Sequence, residues 1–201
     1  MQVVNLINKN NIIINHSLGK ELGYGRDGQV FEINDNKVIK LCVLFENDYI
    51  TLTINHIYDK ISSILNLIEK DMPLAYVRVY EHNFLGKFRR TTINGPENYI
   101  LYYYLMEKLN KISEDEAKVF STIISHEDLN KEKKYNFLEL EKILNGLNVG
   151  LDFDKQKVTL FLDNLKNTNI IQNDCHQRNI LKNNNGDFKF VDLDRCYLIG
   201  D

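Results

Sequence analysis

The pattern of hydrophobic and polar positions predicts strands in the first part of the chain. Residues 11–15 form a short apolar run, and two further runs, 30–33 and 37–43, flank an Asn-Asp-Asn turn and so predict a hairpin. From residue 51 to residue 70 the apolar positions follow helical spacing, and Pro73 stands just past their end, where a helix stop is expected. The apolar residues of this predicted helix are Ile54, Ile57, Tyr58, Ile61, Ile64, Leu65 and Ile68.

The pattern continues with two more strands and then changes to helices. Strands are predicted at residues 75–80 and 99–106, and the second is apolar enough to be a buried central strand. A connection at residues 107–110 leads into a second half. Helices are predicted there at residues 113–125, 136–147 and 152–167. The chain returns to strands at residues 179–181 and 188–191, which an Asn/Gly-rich turn joins.

The composition is that of a soluble globular protein, because 43% of the residues are hydrophobic and 26% are charged. A net charge of −3 and a pI near 6.0 do not indicate a general nucleic-acid binder. No uninterrupted apolar stretch approaches the ~20 residues of a membrane span, and the Asn-rich start lacks the features of a signal peptide. The three cysteines have no metal-type spacing and are expected to stay reduced, which favours a cytoplasmic location.

A glycine-rich segment is the first candidate site. Gly23, Gly25 and Gly28, followed by Val30, fit the pattern G-x-G-x-x-G-x-V. Glycines let a hairpin backbone approach phosphates closely and present N–H groups to them. The pattern alone also fits a dinucleotide-binding helix or a hairpin without a ligand, but the residues that follow it have a strand pattern. Lys40, in the apolar strand twelve residues after Gly28, would then find an anionic partner in the phosphates.

A second group of candidate residues lies near the end of the sequence. Asp174 and Asn179 are five positions apart, and Asp192 follows thirteen positions later. Kinase-type phosphotransferases present a proton acceptor and two magnesium ligands in this order. Asp174 would orient a substrate hydroxyl, while Asn179 and Asp192 would bind magnesium through oxygen atoms. Each residue alone fits an ordinary turn or cap, but the order of all three favours the catalytic interpretation.

These motifs, in this order, resemble the protein-kinase-like superfamily over nearly the whole chain. The resemblance implies an α+β, two-lobed fold with a β-rich N-lobe at residues 1–108 and a truncated helical C-lobe at residues 109–201, with ATP and magnesium in the cleft between the lobes. Met106 and Glu107 match the hinge, and Leu109 lies near the adenine edge. The nucleotide-binding residues implied are Gly23, Gly25, Gly28, Val30, Lys40, Met106, Glu107 and Leu109. The catalytic residues implied are Asp174, Lys40 and His176, and the metal ligands are Asn179 and Asp192.

Two residues resemble one branch of the superfamily more than another. Protein kinases carry Lys two residues after the catalytic Asp, whereas the aminoglycoside phosphotransferase and choline kinase branch carries His, as this chain does at His176. The sequence from Asp192 to Asp194 likewise resembles the D-x-D of that branch more than the D-F-G of protein kinases. His176 either packs the loop or contacts the substrate, and the sequence leaves both roles open.

Three departures from the family pattern bear on activity. Gln172 stands where the family usually has His. Lys40 has no obvious acidic partner on the predicted helix, and the candidates are Glu46, Asp59 and Glu69. Only seven residues follow the D-x-D, so we expect neither an activation segment nor a distal helical subdomain. Minimal kinases of this size occur among bacterial effectors, which favours a stripped-down protein kinase.

We therefore expect an ATP- and magnesium-dependent phosphotransferase that moves the γ-phosphoryl of ATP to a hydroxyl. His176 and Asp194 favour a small-molecule acceptor, whereas the short C-terminal half favours a protein Ser/Thr. Two alternatives stay open: an activating protein partner that completes the site, and a non-catalytic pseudokinase that docks a partner protein. The expected location is cytoplasmic, or a host cell after delivery, and neither nucleic acid nor a membrane is an expected partner.

Overall fold

The chain folds into two compact units. The computed structural model describes residues 2–46, 54–126, 146, 154–172, 174 and 176–198. The first unit consists of Met1–Lys70 and Arg78–Lys108, and the second consists of Asp71–Val77 and Leu109–Asp201. The segment Asp71–Val77 is fastened within the second unit, because Val77 N donates to Phe190 O (2.8 Å) and Lys189 Nζ donates to Leu74 O (2.6 Å). Among the helices of the described residues, none is long and apolar enough to cross a membrane.

A five-stranded antiparallel sheet forms most of the first unit, in the order β1-β2-β3-β5-β4. Its strands are β1 (Glu21–Tyr24), β2 (Gly28–Asn34), β3 (Lys37–Phe45), β4 (Val79–Thr92) and β5 (Gly95–Glu107). Two helices belong to the same unit, α1 (Val3–Lys9) and α2 (Ile54–Asp71). The predicted α+β class, the hairpin at 30–43 and the helix at 51–70 are confirmed over the described residues.

Different helices cover the two faces of this sheet. Successive side chains of a strand point to opposite faces, so alternate residues of β3 and β5 share one core cluster with α1. The fully buried residues of that cluster include Val3, Leu6, Ile7, Ile39, Leu41, Val43, Tyr99 and Leu101. On the opposite face, the ring of Tyr58 in α2 lies 5.9 Å from the ring of Tyr102 in β5. Each buried aliphatic side chain contributes roughly 1.5–3 kcal/mol, so both helices are held by their apolar stripes.

Three features of the first unit differ from the sequence predictions. Residues 3–9 form α1, which was not predicted because its apolar stripe spans only two turns and cannot be distinguished from a strand. Residues 11–15 are not a strand. The strand predicted at 75–80 is instead β4, which begins at Val79 and continues to Thr92. Because β4 lies at the edge of the sheet, its many exposed polar residues conceal the strand period.

The second unit combines two helices with two small sheets. The helices are α3 (Glu114–His126) and α4 (Lys155–Lys166). The strands are β6 (Asn110–Lys111), β7 (Ile170–Gln172), β8 (Ile180–Lys182), β9 (Phe188–Phe190) and β10 (Cys196–Leu198). One sheet has the order β6-β8-β9, and β10 pairs with β7 in the other. The core is aromatic, with the rings of Phe120 and Phe188 4.9 Å apart and edge to face.

Most predicted elements of the second half are confirmed. The helices at 113–125 and 152–167 correspond to α3 and α4, and the strands at 179–181 and 188–191 to β8 and β9. The helix predicted at 136–147 lies outside the described residues, apart from residue 146. The three-residue strands β7 and β10 were not predicted, since so short a segment carries no period of its own.

Candidate functional site

The glycine-rich segment forms the hairpin of β1 and β2. Gly25 N donates to Gly28 O (2.8 Å) and closes the turn between the strands. A Cβ atom at Gly28 would lie 2.8 Å from the Leu41 backbone oxygen, closer than packed atoms allow, and 3.1 Å from Lys40 Cε, which is a tight contact. A Cβ atom at Gly23 or Gly25 would meet no described atom within 4 Å. Gly28 is therefore required by packing against β3, whereas Gly23 and Gly25 leave open space beside the backbone.

Lys40 lies on the sheet face opposite α1. It is paired with Val30 of β2 and with Tyr104 of β5, so the three side chains share one face. Lys40 Nζ lies 5.6 Å from the centre of the Tyr104 ring, within the range of a cation–π contact. The structure thus brings together Gly28, Val30 and Lys40, which sequence motifs had joined only by order.

The three acids considered as partners of Lys40 lie in different surroundings. Glu46 accepts a hydrogen bond from Asn98 Nδ2 (2.6 Å). Glu69 Oε2 lies 3.9 Å from His82 Nε2, and Asp59 is exposed on α2.

The predicted hinge residues stand at the end of β5. Met106 is buried and is paired with Val38 of β3. Glu107 N donates to Arg78 O (3.0 Å), and Glu107 Oε1 accepts from Arg78 N (2.8 Å), which fastens the end of β5 to the start of β4. Leu109 belongs to the second unit and is half-buried.

The loop after β7 carries the predicted catalytic residues. Asp174 is exposed, and its backbone oxygen accepts from Asn179 Nδ2 (3.0 Å). Asn179 N donates to His176 O (2.8 Å), which closes the loop. Because the amide nitrogen of Asn179 is directed at Asp174, the amide oxygen on the same carbon is directed away from it. That oxygen is the atom expected to bind a metal ion.

Gln172 connects this loop to Asp192. Its side chain is buried, its Nε2 donates to Asp192 O (2.6 Å), and its Oε1 accepts from Asp174 N (3.3 Å). A second connection is the bond from Val191 N to Asn179 O (3.0 Å). Asp174, Asn179 and Asp192 therefore belong to one hydrogen-bonded structure, which we call the Gln172 bridge (Gln172, Asp174, Asn179, Val191 and Asp192). The sequence identified Gln172 only as a departure from the family pattern.

His176 and Asp194 have different surroundings in the second unit. The Nδ1 atom of His176 accepts from Arg178 N (3.1 Å), so the ring caps the 3₁₀ helix Gln177–Asn179. This contact corresponds to the loop-packing role that the sequence left open beside substrate contact. Asp194 is buried, with 5% of its surface exposed, in the 3₁₀ helix Leu193–Arg195.

A partly buried ion pair lies beside the loop and was not anticipated. Lys182 Nζ, in β8 just after Asn179, lies 3.0 and 2.9 Å from the two carboxylate oxygens of Glu116 in α3. Ser113 N donates to Glu116 Oε2 (2.6 Å) and Glu116 N donates to Ser113 Oγ (3.2 Å), which is a capping box. Burial raises the pKa of Glu116, but the bonds from Lys182 and Ser113 outweigh it and hold the pKa below its ordinary value. The S-x-x-E spacing was readable in the sequence; the partner lysine was not.

The donor set of the Gln172 bridge suits magnesium. Within the described residues, no group of three or more His, Cys, Asp and Glu side chains is placed to hold a metal ion. Magnesium needs no such group, because proteins bind it through one or two carboxylates together with substrate phosphates and water. Asn179 and Asp192 supply one amide oxygen and one carboxylate, which fits that requirement.

Comparisons with known proteins find a likeness in fold. The ROP18 kinase domain, solved in complex with AMP-PNP and sucrose, is 18% identical with a TM-score of 0.49, over 90% of this chain and 52% of that one. A co-crystal structure of WbdD with a kinase inhibitor is 14% identical with a TM-score of 0.44, over 92% of this chain and 34% of that one. This chain therefore spans about half and about a third of their lengths. No protein-family model and no curated protein matches the sequence. With identities below 25% and TM-scores below 0.5, these likenesses carry no argument about function, which has to be argued from this chain's own residues.

Proposed function

We propose that the protein is an ATP- and magnesium-dependent phosphotransferase that moves the γ-phosphoryl group of ATP to a hydroxyl of a protein Ser/Thr or a small molecule. The Gln172 bridge carries the proposal. It holds an exposed carboxylate, an amide oxygen and a second acidic residue in one hydrogen-bonded structure. Phosphoryl transfer needs little covalent chemistry from the protein and depends on positioning and charge stabilisation, which such a structure supplies.

The residues of the second unit have distinct proposed roles. Asp174, exposed at the loop surface, accepts a hydrogen bond from the acceptor hydroxyl, orients it for in-line attack and takes its proton. Asn179 and Asp192 hold magnesium, which neutralises charge on the phosphates when bound. His176 caps the loop that carries Asp174, so its proposed contribution is to the position of the catalytic residue.

The residues of the first unit bind the nucleotide in this proposal. Lys40 pairs with the phosphates, and the backbone N–H groups of the glycine hairpin, with Gly23, Gly25 and Gly28, cover them. Val30, on the same face as Lys40, contacts the base. At the end of β5 the base also meets the residues of the predicted hinge and adenine edge, which are Met106, Glu107 and Leu109.

The first test follows label from γ-labelled ATP. The protein is incubated with magnesium and labelled ATP, purified and in cell lysate, beside Asp174→Ala, Asp192→Ala and the exposed control Asp115→Ala. Label on a protein or metabolite that both site variants lose and Asp115→Ala keeps would support a phosphotransferase and identify the acceptor class. Label only in lysate would indicate an activating partner or an external acceptor.

The pseudokinase alternative has its own signature in the same experiment. Nucleotide binding by calorimetry, without transfer in lysate and unchanged by Asp174→Ala, would reject phosphoryl transfer in favour of a binding module. Gln172 suggested this alternative because it departs from the family pattern, but its side chain makes two hydrogen bonds within the bridge.

A further inference from the structure

We propose that Gln29 and helix α1 position the glycine-rich hairpin, so that a helix on the opposite sheet face sets the affinity for nucleotide. This inference rests on the nucleotide-binding part of the proposed function. Gln29 stands between Gly28 and Val30, but strand alternation directs its side chain away from Lys40 and towards α1. Gln29, one of the x positions of the motif G-x-G-x-x-G-x-V, therefore has a defined partner on the other face, the backbone of α1.

The side-chain amide of Gln29 is buried and bonded at both ends. Only 2% of Gln29 is exposed. Its Oε1 accepts from Val4 N (3.0 Å), and its Nε2 donates to Glu21 Oε2 (3.2 Å). The Val4 amide belongs to the first turn of α1, where N–H groups lack a partner within the helix, and the N-cap residue Gln2 makes no side-chain cap. One side chain thus connects the start of α1 to both strands of the glycine hairpin.

Strand β1 has few other attachments through its side chains. It is an edge strand, and Glu21, Leu22, Gly23 and Tyr24 are all exposed. The pairing of β1 with β2 is also irregular between Glu21 and Gly23. Because no side chain of β1 is buried, its position depends on the backbone ladder and on the bond to Gln29. A substitution of Gln29 should therefore increase the mobility of β1 more than that of the other strands.

Helix α1, in contrast, is firmly attached to the core. Val3, Leu6 and Ile7 are buried in the cluster formed with β3 and β5. At the other end of the helix, Asn10 Nδ2 donates to Tyr99 Oη (3.0 Å). The contacts therefore run from the core through α1 and Gln29 to Glu21 and the hairpin. Asn10 offers a matched control, because it also holds α1 but has no contact with the glycine segment among its described hydrogen bonds.

The test exchanges the two ends of the Gln29–Glu21 bond. Gln29→Leu removes both hydrogen bonds, and Gln29→Glu keeps the acceptor for Val4 N but places a carboxylate against Glu21. Adding Glu21→Gln to Gln29→Glu restores a donor and an acceptor with their direction reversed. Affinity for a non-hydrolysable ATP analogue with magnesium is measured by calorimetry. Hydrogen exchange of the amides at residues 22–28 and the melting temperature are measured on the same proteins, with Asn10→Ala as the control.

We expect Gln29→Leu and Gln29→Glu to weaken nucleotide binding about tenfold, because both variants lose the bond to Glu21 and one lost hydrogen bond produces an effect of about that size. The double variant should recover most of the affinity, and Asn10→Ala should lower the melting temperature while leaving affinity within about twofold. Hydrogen exchange at 22–28 should accelerate in the Gln29 variants only.

Two outcomes would overturn the inference. In the first, Gln29 variants bind the analogue as the wild type does and only melt earlier; in the second, the double variant gains nothing over Gln29→Glu. A wild-type protein that binds no nucleotide would reject the proposed function instead. In that case hydrogen exchange alone decides whether Gln29 orders the hairpin. If the amides at residues 22–28 exchanged equally fast in Gln29→Leu and Asn10→Ala, the role of Gln29 in positioning the hairpin would be rejected as well.

Discussion

Replacing Gln172 by Met should slow phosphoryl transfer without unfolding the protein. Methionine keeps the length and most of the volume of the buried side chain but can neither donate to Asp192 O nor accept from Asp174 N. The substitution therefore removes the bridge while filling its space. The exposed carboxylate of Asp174 and the acidic residue Asp192 remain, but their backbones lose a common support.

The size of the effect follows from the two hydrogen bonds. A neutral hydrogen bond contributes roughly 0.5–1.5 kcal/mol net, so the pair contributes about 1–3 kcal/mol. Since about 1.4 kcal/mol corresponds to a factor of ten in rate, kcat should fall about 5- to 160-fold if the bridge acts mainly in the transition state. KM for ATP should change less, because the residues of the first unit that we propose to bind nucleotide are untouched.

The assay is the intrinsic hydrolysis of ATP with magnesium by the purified protein, which needs no identified acceptor. Gln172→Glu keeps the acceptor for Asp174 N and loses the donor, so its kcat should lie between those of the wild type and Gln172→Met. Gln177→Met, the same change in the adjoining 3₁₀ helix, should stay within about twofold of the wild type. If Gln172→Met lowered the melting temperature but left kcat within twofold, the bridge would be a packing feature, and the reasoning would be refuted.

Three further predictions follow from other contacts. Gly28→Ala should lower the free energy of unfolding by about 2 kcal/mol, because its Cβ would lie 2.8 Å from the Leu41 backbone oxygen. Gly23→Ala has open space and should not change the melting temperature; thermal denaturation of both variants measures the difference. Glu116→Gln should destabilise the protein by about 1 kcal/mol at pH 7, because Gln keeps the bond from Ser113 N but loses the charge opposite Lys182. Because the folded pKa of Glu116 lies below its ordinary value of 4.5, that stabilisation is complete above pH 4.5 and disappears as the pH falls through the folded pKa. Denaturant titrations at several pH values should therefore show wild type and variant converging in acid, and a constant difference would contradict the assignment. Tyr103→Phe should raise the pKa of Glu81, measured by NMR titration, because the Tyr103 hydroxyl donates to that carboxylate and lowers its pKa.

The parts of the fold that the sequence predicted are those with a long, regular period. Helix α2 repeats its apolar stripe over 18 residues, and the β2–β3 hairpin has a polar turn between two apolar runs. Helix α1 has only seven residues, and two register shifts, between Val79 and Glu81 and between Phe84 and Gly86, interrupt the period of β4. Length, together with an uninterrupted period or apolar run, therefore decides which elements can be predicted.

Residues of the candidate site were predictable from the sequence where they form a motif, and not where their role depends on distant contacts. Asp174, Asn179 and Asp192 were predicted because their chemistry and order form a motif, whereas the contacts of Gln29 and Gln172 were not. A buried side-chain amide has no periodic pattern in the sequence, and its role depends on its hydrogen-bond partners. Gln29 bonds to a residue 25 positions away, and Gln172 bonds to one 20 positions away. Contacts at such separations are set by the tertiary fold, which local patterns do not encode.

The amide of Gln172 also bears on how its departure from the family pattern is interpreted. An amide offers a donor and an acceptor at every pH, while a neutral imidazole offers both and a protonated one only donors. In this chain the donor is used by Asp192 O and the acceptor by Asp174 N, so both are needed at once. A histidine at position 172 would satisfy both only above its pKa of about 6.5. We therefore expect Gln172→His to hydrolyse ATP nearly as fast as the wild type at pH 8 and to lose rate below about pH 6.5, where the wild type does not. The departure then marks a bridge that is independent of pH, and by itself it is no sign of an inactive site.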